Sequence, residues 1–246
     1  MNALARLTGT ETKLFLREPI GVIFALVLPP ALLIILGLIP AFREVKPELD
    51  GLRVIDVYTP IVIALGIATL ALTNLPQQLA TYRERGILRR MRTTPVTPAT
   101  LLGAQLLMSM MVSLVTMAVL LAIARFAFAV PLPDAPFAFF LAFVLSAAAM
   151  FSVGLLVAAL APGASSASAM GLVLFFAMLF FAGLWISRNA MHDVLRTISD
   201  FTPLGAGVQS LHDAAAGNWP SLLHILVVLG WTIVAGGLAA RLFRWE

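Results

Sequence analysis

Six stretches of about 20 apolar residues or more, none containing Asp, Glu, Lys or Arg, decide what this chain can fold into: 20–39, 57–79, 101–124, 136–160, 166–186 and 221–240. A helix needs about 20 residues to cross the hydrocarbon of a bilayer. A charge at its centre costs about 2.5–3.5 kcal/mol on insertion scales. Runs of this length and purity meet both conditions, so each predicts a transmembrane helix. The chain is 61% hydrophobic and only 11% charged, too little polar surface to cover a water-soluble globule. The spans leave no room for a separate soluble domain. The expectation is an all-α polytopic membrane protein whose 246 residues form one transmembrane domain. A cleaved signal peptide would have a shorter apolar run and a small-residue cleavage site. The run 20–39 is full length and Pro40 onward has no such pattern, so it reads as a retained span, kinked by Pro29 and Pro30.

An even number of spans places both termini on one side, and charge chooses which. With the termini inside, Arg6, Lys13, Arg17, Arg83, Arg85, Arg89, Arg90, Arg92, Arg241 and Arg244 face the cytoplasm, ten basic residues against six outside. Five of the ten crowd into residues 83–92 of one short loop, 82–100, where the positive-inside rule has most force. Both termini are therefore expected in the cytoplasm. The formal charge of +4 does not point to nucleic acid, because the arginines lie between spans rather than on a folded basic face.

Residues 1–19 read as a helix along the membrane surface. Arg6, Thr10, Lys13 and Arg17 share one face, with Leu4, Leu7, Leu14 and Phe15 opposite. Pro19 then turns the chain into the bilayer. The segment 187–220 on the outer side predicts broken extracellular helices before the sixth span. Met191, Val194, Leu195, Ile198 and Phe201 repeat at steps of three and four, with Arg188, His192, Asp193, Arg196 and Asp200 facing away. Thr202-Pro203 breaks this helix, Gly205 and Gly207 loosen the stretch after the break, and a second short helix over 208–216 ends at Gly217. These helices either dip back into the membrane or form a plain outer loop. Small residues such as Gly154, Gly171, Gly230, Gly236 and Gly237 would let helices approach closely.

Some chemistry is missing. No Asp, Glu, Lys or Arg lies in a span, where a proton- or sodium-coupled carrier usually keeps an ionisable group, and the single His, His224, stands near the start of the last one. His192, His212 and His224 show no metal-binding spacing and read as interfacial polar residues, there is no cysteine, and no GxxxxGK[ST] loop holds nucleotide. The chain is not expected to be an enzyme or to carry a cofactor. Uphill movement of a solute would take its energy from another chain.

That directs attention back to the loop. A short helix from Arg83 to Arg92, ended by Thr94-Pro95, could sit in a groove of a soluble partner, with Ile87, Leu88 and Met91 as an apolar knob. The same arginines could instead only set topology and bind anionic lipid. The run Arg83-Glu84-Arg85-Gly86-Ile87-Leu88-Arg89-Arg90-Met91-Arg92-Thr93-Thr94-Pro95-Val96, followed by Leu101-Leu102-Gly103-Ala104-Gln105, closely resembles the ABC-2 type permeases. These are membrane subunits of bacterial ATP-binding cassette exporters, similar to the antibiotic- and drug-export permeases of actinobacteria. Ile87 stands where Thr is common in that pattern, and Arg89 where an acid often sits.

The resemblance implies a permease in the bacterial cytoplasmic membrane, paired as a homodimer or heterodimer and seated on cytoplasmic ABC ATPase subunits. ATP and Mg would bind those partner subunits. The loop after the second span would be the coupling helix, with Arg83, Glu84, Arg85, Gly86, Leu88, Arg90, Met91, Arg92, Thr94 and Pro95 as contact residues. The expected function is ATP-driven export of a hydrophobic or amphiphilic substrate, a drug, antibiotic or lipid-like molecule. The lack of charge in the spans disfavours a small inorganic ion as cargo. A non-transporting scaffold or assembly factor that docks a cytoplasmic partner through the same loop is the rival. Asn74, Gln77 and Gln78 are polar candidates for the path.

Overall fold

The structure, a computed structural model, describes residues 3–49, 51–88 and 98–243. Among these, nine helices carry the architecture: α1 (Ala3–Leu16), α2 (Pro19–Leu38), α3 (Val54–Glu84), α4 (Pro98–Phe128), α5 (Pro136–Leu160), α6 (Ala164–Phe181), α7 (Asp193–Phe201), α8 (Pro203–Ala215) and α9 (Leu222–Leu242). α2, α3, α4, α5, α6 and α9 are each long and apolar enough to cross a membrane. This is the six-span all-α fold expected from the apolar runs. Helices satisfy every internal backbone donor and acceptor within the segment, which hydrocarbon demands.

α3 is the axis of the bundle. Of its most apolar stretch 78% is buried and of α5's 61%, whereas the other four spans bury 17–33%. It runs for 31 residues, about 46 Å at 1.5 Å per residue, well beyond the apolar run within it. The helix continues through Tyr82, Arg83 and Glu84 and stops only at Gly86, whose φ of +67 is left-handed. There the Gly86 amide donates to Arg83 O at 3.0 Å and that of Arg85 to Thr81 O at 3.0 Å, closing the helix end as glycine caps do.

Proline shapes two spans. Pro29 has no N–H to give the carbonyl of Ala25, four residues back. The Thr116 hydroxyl of α4 donates to that carbonyl at 3.2 Å and to Val112 O at 3.0 Å. Backbone freed by proline is thus satisfied by a neighbouring helix. In α3, residues Thr69–Asn74 widen into a π-helical turn just before Pro76. The carbonyls of Ala71 and Leu72 there point at Gly154 of α5 and Gly171 of α6. A Cβ on either glycine would lie 2.0 Å and 1.9 Å from those oxygens. Two helices therefore close on the bulge through backbone alone. Gly230 and Gly237, by contrast, face open space.

α1 lies against α4 and the start of α2. At the end of the bundle away from Gly86, α8 packs its buried Leu204, Ala206, Val208 and Leu211 against α5, α3 and α9. It begins at Pro203, capped by Thr202 Oγ1, which accepts from Gly205 N at 3.1 Å. The expected loosening at Gly205 and Gly207 is corrected here. Both are helical and tightly packed, on Ser199 and Ser146 respectively, because only glycine leaves room for those contacts. α7 turns its apolar Val194, Ile198 and Phe201 outward, each at least 44% exposed, and its Asp200 toward the protein. A helix with that facing suits lipid on its outer side.

Candidate functional site

The last turn of α3 carries the first predicted contact residues and commits two of them to the chain itself. The Arg83 guanidinium donates to Ala158 O at 3.4 Å and to Ala161 O, at the end of α5. Glu84 Oε1 accepts from Ala164 N at 2.8 Å, at the start of α6. A cation on the carbonyl end of one helix and a carboxylate on the amide end of the next each complement the helix dipole. Together they staple α3 to the α5–α6 corner. Leu88 is 1% exposed and belongs to the main core. Arg85 is exposed and Gly86 partly so.

Two expectations are thereby corrected. The helix thought to start at Arg83 does not: Arg83 and Glu84 finish α3, Arg85-Gly86 is a turn, and the backbone is helical again at Ile87 and Leu88. Leu88 is not part of an outward knob, because the chain's own core covers it. Arg90, Met91, Arg92, Thr94 and Pro95 lie outside the described residues.

A second node joins α1 to both stems of the loop, and its key residue was not singled out from the sequence. Glu11 is 4% exposed. Its Oε2 accepts from Tyr82 Oη of α3 at 2.8 Å, Gln105 Nε2 of α4 at 2.6 Å and Gln78 Nε2 of α3 at 3.4 Å. These donors are all uncharged. Burial pushes the Glu11 carboxyl above the usual carboxylate range, and the Tyr82 hydrogen bond offsets this only in part. The signal was its position: Glu11 falls four residues from Leu7 and from Phe15, on the face that α1 buries. Leu14, placed on that face by the sequence, is 46% exposed. Close by, a cavity of about 280 Å³ brings Asn74, Gln77 and Gln78 together with Glu18, Tyr82 and Arg85.

The far end has a different character. Arg53 Nη2 lies 2.7 Å from Asp56 Oδ1 at the start of α3, where Asp56 Oδ2 also accepts from Arg53 N at 3.0 Å, and Arg53 also donates to Phe128 O and Ala129 O at the end of α4. Arg188 Nη1 lies 2.6 Å and His224 Nε2 3.2 Å from Asp200 Oδ1. Burial alone would raise the Asp200 carboxyl; hydrogen bonds and charge from Arg188 and His224 outweigh it and hold the group below its ordinary value. Ser221 Oγ sits 2.8 Å from His224 Nδ1 while accepting from His224 N as the N-cap of α9. Its hydroxyl serves the helix end. His212 of α8 is largely enclosed by the protein, and burial together with nearby Arg188 pushes its imidazole down to about 4. The three histidines, scattered in sequence, thus divide into one held by Asp200, one held neutral inside, and an exposed His192. No group of three His, Cys, Asp or Glu side chains suited to a metal occurs among the described residues.

The family model described as ABC-2 type transporter matches residues 2–214, which takes in everything from α1 to the greater part of α8. No curated protein matches the chain.

Proposed function

Because the chain belongs to the ABC-2 type transporter family, and is therefore a multi-pass membrane component of a transport system, we propose that it is the permease subunit of an exporter. Its cargo is a hydrophobic or amphiphilic molecule such as a drug, antibiotic or lipid-like compound. Family membership implies association with ABC ATPase subunits. On this reading those subunits hydrolyse Mg-bound ATP in the cytoplasm, two permease chains pair above them, and both termini face the same side in the bacterial cytoplasmic membrane.

The observation that carries the reading is the termination of α3. An axial helix that crosses the whole bundle ends on Arg83 and Glu84, which hold the α5–α6 corner, right after Tyr82, which holds Glu11. A push on the loop beyond that end would reach α1, α4, α5 and α6 together. Packed helices move as rigid bodies between discrete arrangements, so such a push suits alternating access. Arg85 and the arginines beyond it supply the charge for docking.

The test is the permease co-purified with its ATPase in proteoliposomes. Arg90→Glu combined with Arg92→Glu should lower substrate-stimulated ATP hydrolysis and export at least tenfold while leaving the permease folded. Unchanged hydrolysis and export would refute the coupling role. A complex that assembles with the ATPase, yet exports nothing in wild-type form, would mark the chain as a scaffold or assembly factor.

A further inference from the structure

Two cavities meet at the far end of the bundle. One, of about 210 Å³, has a polar wall containing Arg188, Gln209 and His212 and an apolar wall from Leu52 and Val57. The other, of about 100 Å³, is almost wholly apolar, with Leu121, Val130 and Phe139 on its sides. Leu52 and His212 line both. A compartment that carries polar groups, set beside an apolar one with Leu52 and His212 at their boundary, suits an amphiphile with one head and one body.

The electrostatics narrow the head. Arg188 is neutralised by Asp200, and Asp56, beside the apolar compartment, by Arg53. A charged ligand would have to break one of these pairs or enter without a counter-charge. The His212 ring makes no hydrogen bond among the described residues, so it offers one N–H and one lone pair. Arg188 Nη1 lies buried against Asp200 without an aligned hydrogen bond, so the donors that face a ligand are the His212 ring and the Gln209 amide. The surroundings thus supply hydrogen-bond donors and no net charge.

We propose that these compartments form one binding site for a small, uncharged, carbonyl-bearing amphiphile of the amide or ester class. The carbonyl accepts from His212 and Gln209, and the apolar body passes Leu52 into the Leu121–Phe139 compartment. The inference deepens the exporter reading, on which the site is a late stop on the outward path. Binding itself does not depend on that reading.

Photolabelling of the whole permease in lipid nanodiscs, without ATPase, tests it. The probes are a diazirine-bearing octanamide and the octanoate and octylammonium analogues of the same length, with adducts mapped by mass spectrometry. The amide should label residues 49–60 and 203–216 at least tenfold more than either charged analogue. Leu52→Trp, which fills the junction, should abolish that labelling, whereas His212→Gln, which keeps a hydrogen-bonding side chain, should retain most of it. Even labelling along the exposed faces of α2, α4 and α9, or equal labelling by octanoate, would overturn the proposal. Export by the assembled transporter without site-specific labelling would remove the site and leave the exporter reading. Labelling without ATP-driven export would do the reverse.

Discussion

The two ends of the bundle handle charge in opposite ways. At the far end, acids that approach the interior are met by cations, Asp56 by Arg53 and Asp200 by Arg188, with the His224 ring beside it. At the loop end the carboxylates rest on neutral donors: Glu11 on a phenol and two amides, Glu84 on a helix terminus. Arginine cations there are spent on backbone carbonyls, as Arg83 is, or remain exposed, as Arg85 does. The far end pairs the charges that approach its interior, and the loop end leaves Arg85 exposed. A surface that must attract another protein needs unpaired charge; a lid over a packed interior needs the reverse.

The sharpest way to break this contrast is to remove one cation from each end. Arg188→Ala leaves Asp200 largely covered with only His224 beside it, and should cost about 2 kcal/mol after allowance for the pair's partial exposure. Arg85→Ala should stay within about 0.5 kcal/mol, as surface substitutions do. Thermal unfolding in detergent compares them directly, and equal losses would erase the distinction. Adding Asp200→Asn to Arg188→Ala should recover part of the loss.

Acidification should then move the two ends in opposite directions. His212 has a depressed pKa, so the stability it contributes is present above about 6.5 and lost as pH falls toward about 4. Glu11 has a raised pKa, so its contribution is full below the ordinary carboxylate value and fades as pH rises through the raised one. As pH falls below 6.5, amide protection, corrected for the intrinsic fall in exchange rate, should drop across α8, and it should rise across α1 as pH falls through the raised Glu11 value. His212→Gln should flatten the first response and Glu11→Gln the second. Both ends responding in the same sense would contradict the assignment.

A smaller effect concerns the staple. Glu84→Gln keeps an acceptor at the start of α6 but removes its charge, worth about 0.5–1 kcal/mol at a helix N-terminus. Exchange of the first amides of α6 should rise a few-fold, with no change in α8. An unaltered rate there would mean the contact contributes nothing.

How much of this was legible in the sequence depends on range. The six spans could be read because purity over about 20 residues is a local property. Their ends could not, since a helix does not stop where apolarity stops: α3 keeps going until Gly86 ends it, and the basic loop consequently begins later than its charges suggest. The partners of Arg83 and Glu84 lie 75 or more residues away, and no periodicity reports such a distance. The two faces of α7 were plain from spacing, but which of them the protein keeps is set by Arg188 and His224, on other elements. Glu11 sat on a readable face and was passed over, because a lone carboxylate on a surface helix is usually hydrated. The bulge in α3 left only Pro76 as its sign.

That bulge has a mechanical consequence. With Gly154 and Gly171 seated against the carbonyls of Ala71 and Leu72, the axial helix is keyed into its neighbours a little past its midpoint, like a shaft in a keyway. Such a shaft resists spinning about its length and sliding past its sleeve; what it retains is rocking about the key. Rocking makes the two tips travel in opposite senses, with the longer arm sweeping further, so a small displacement beside Gly86 would become a larger one beside Arg53.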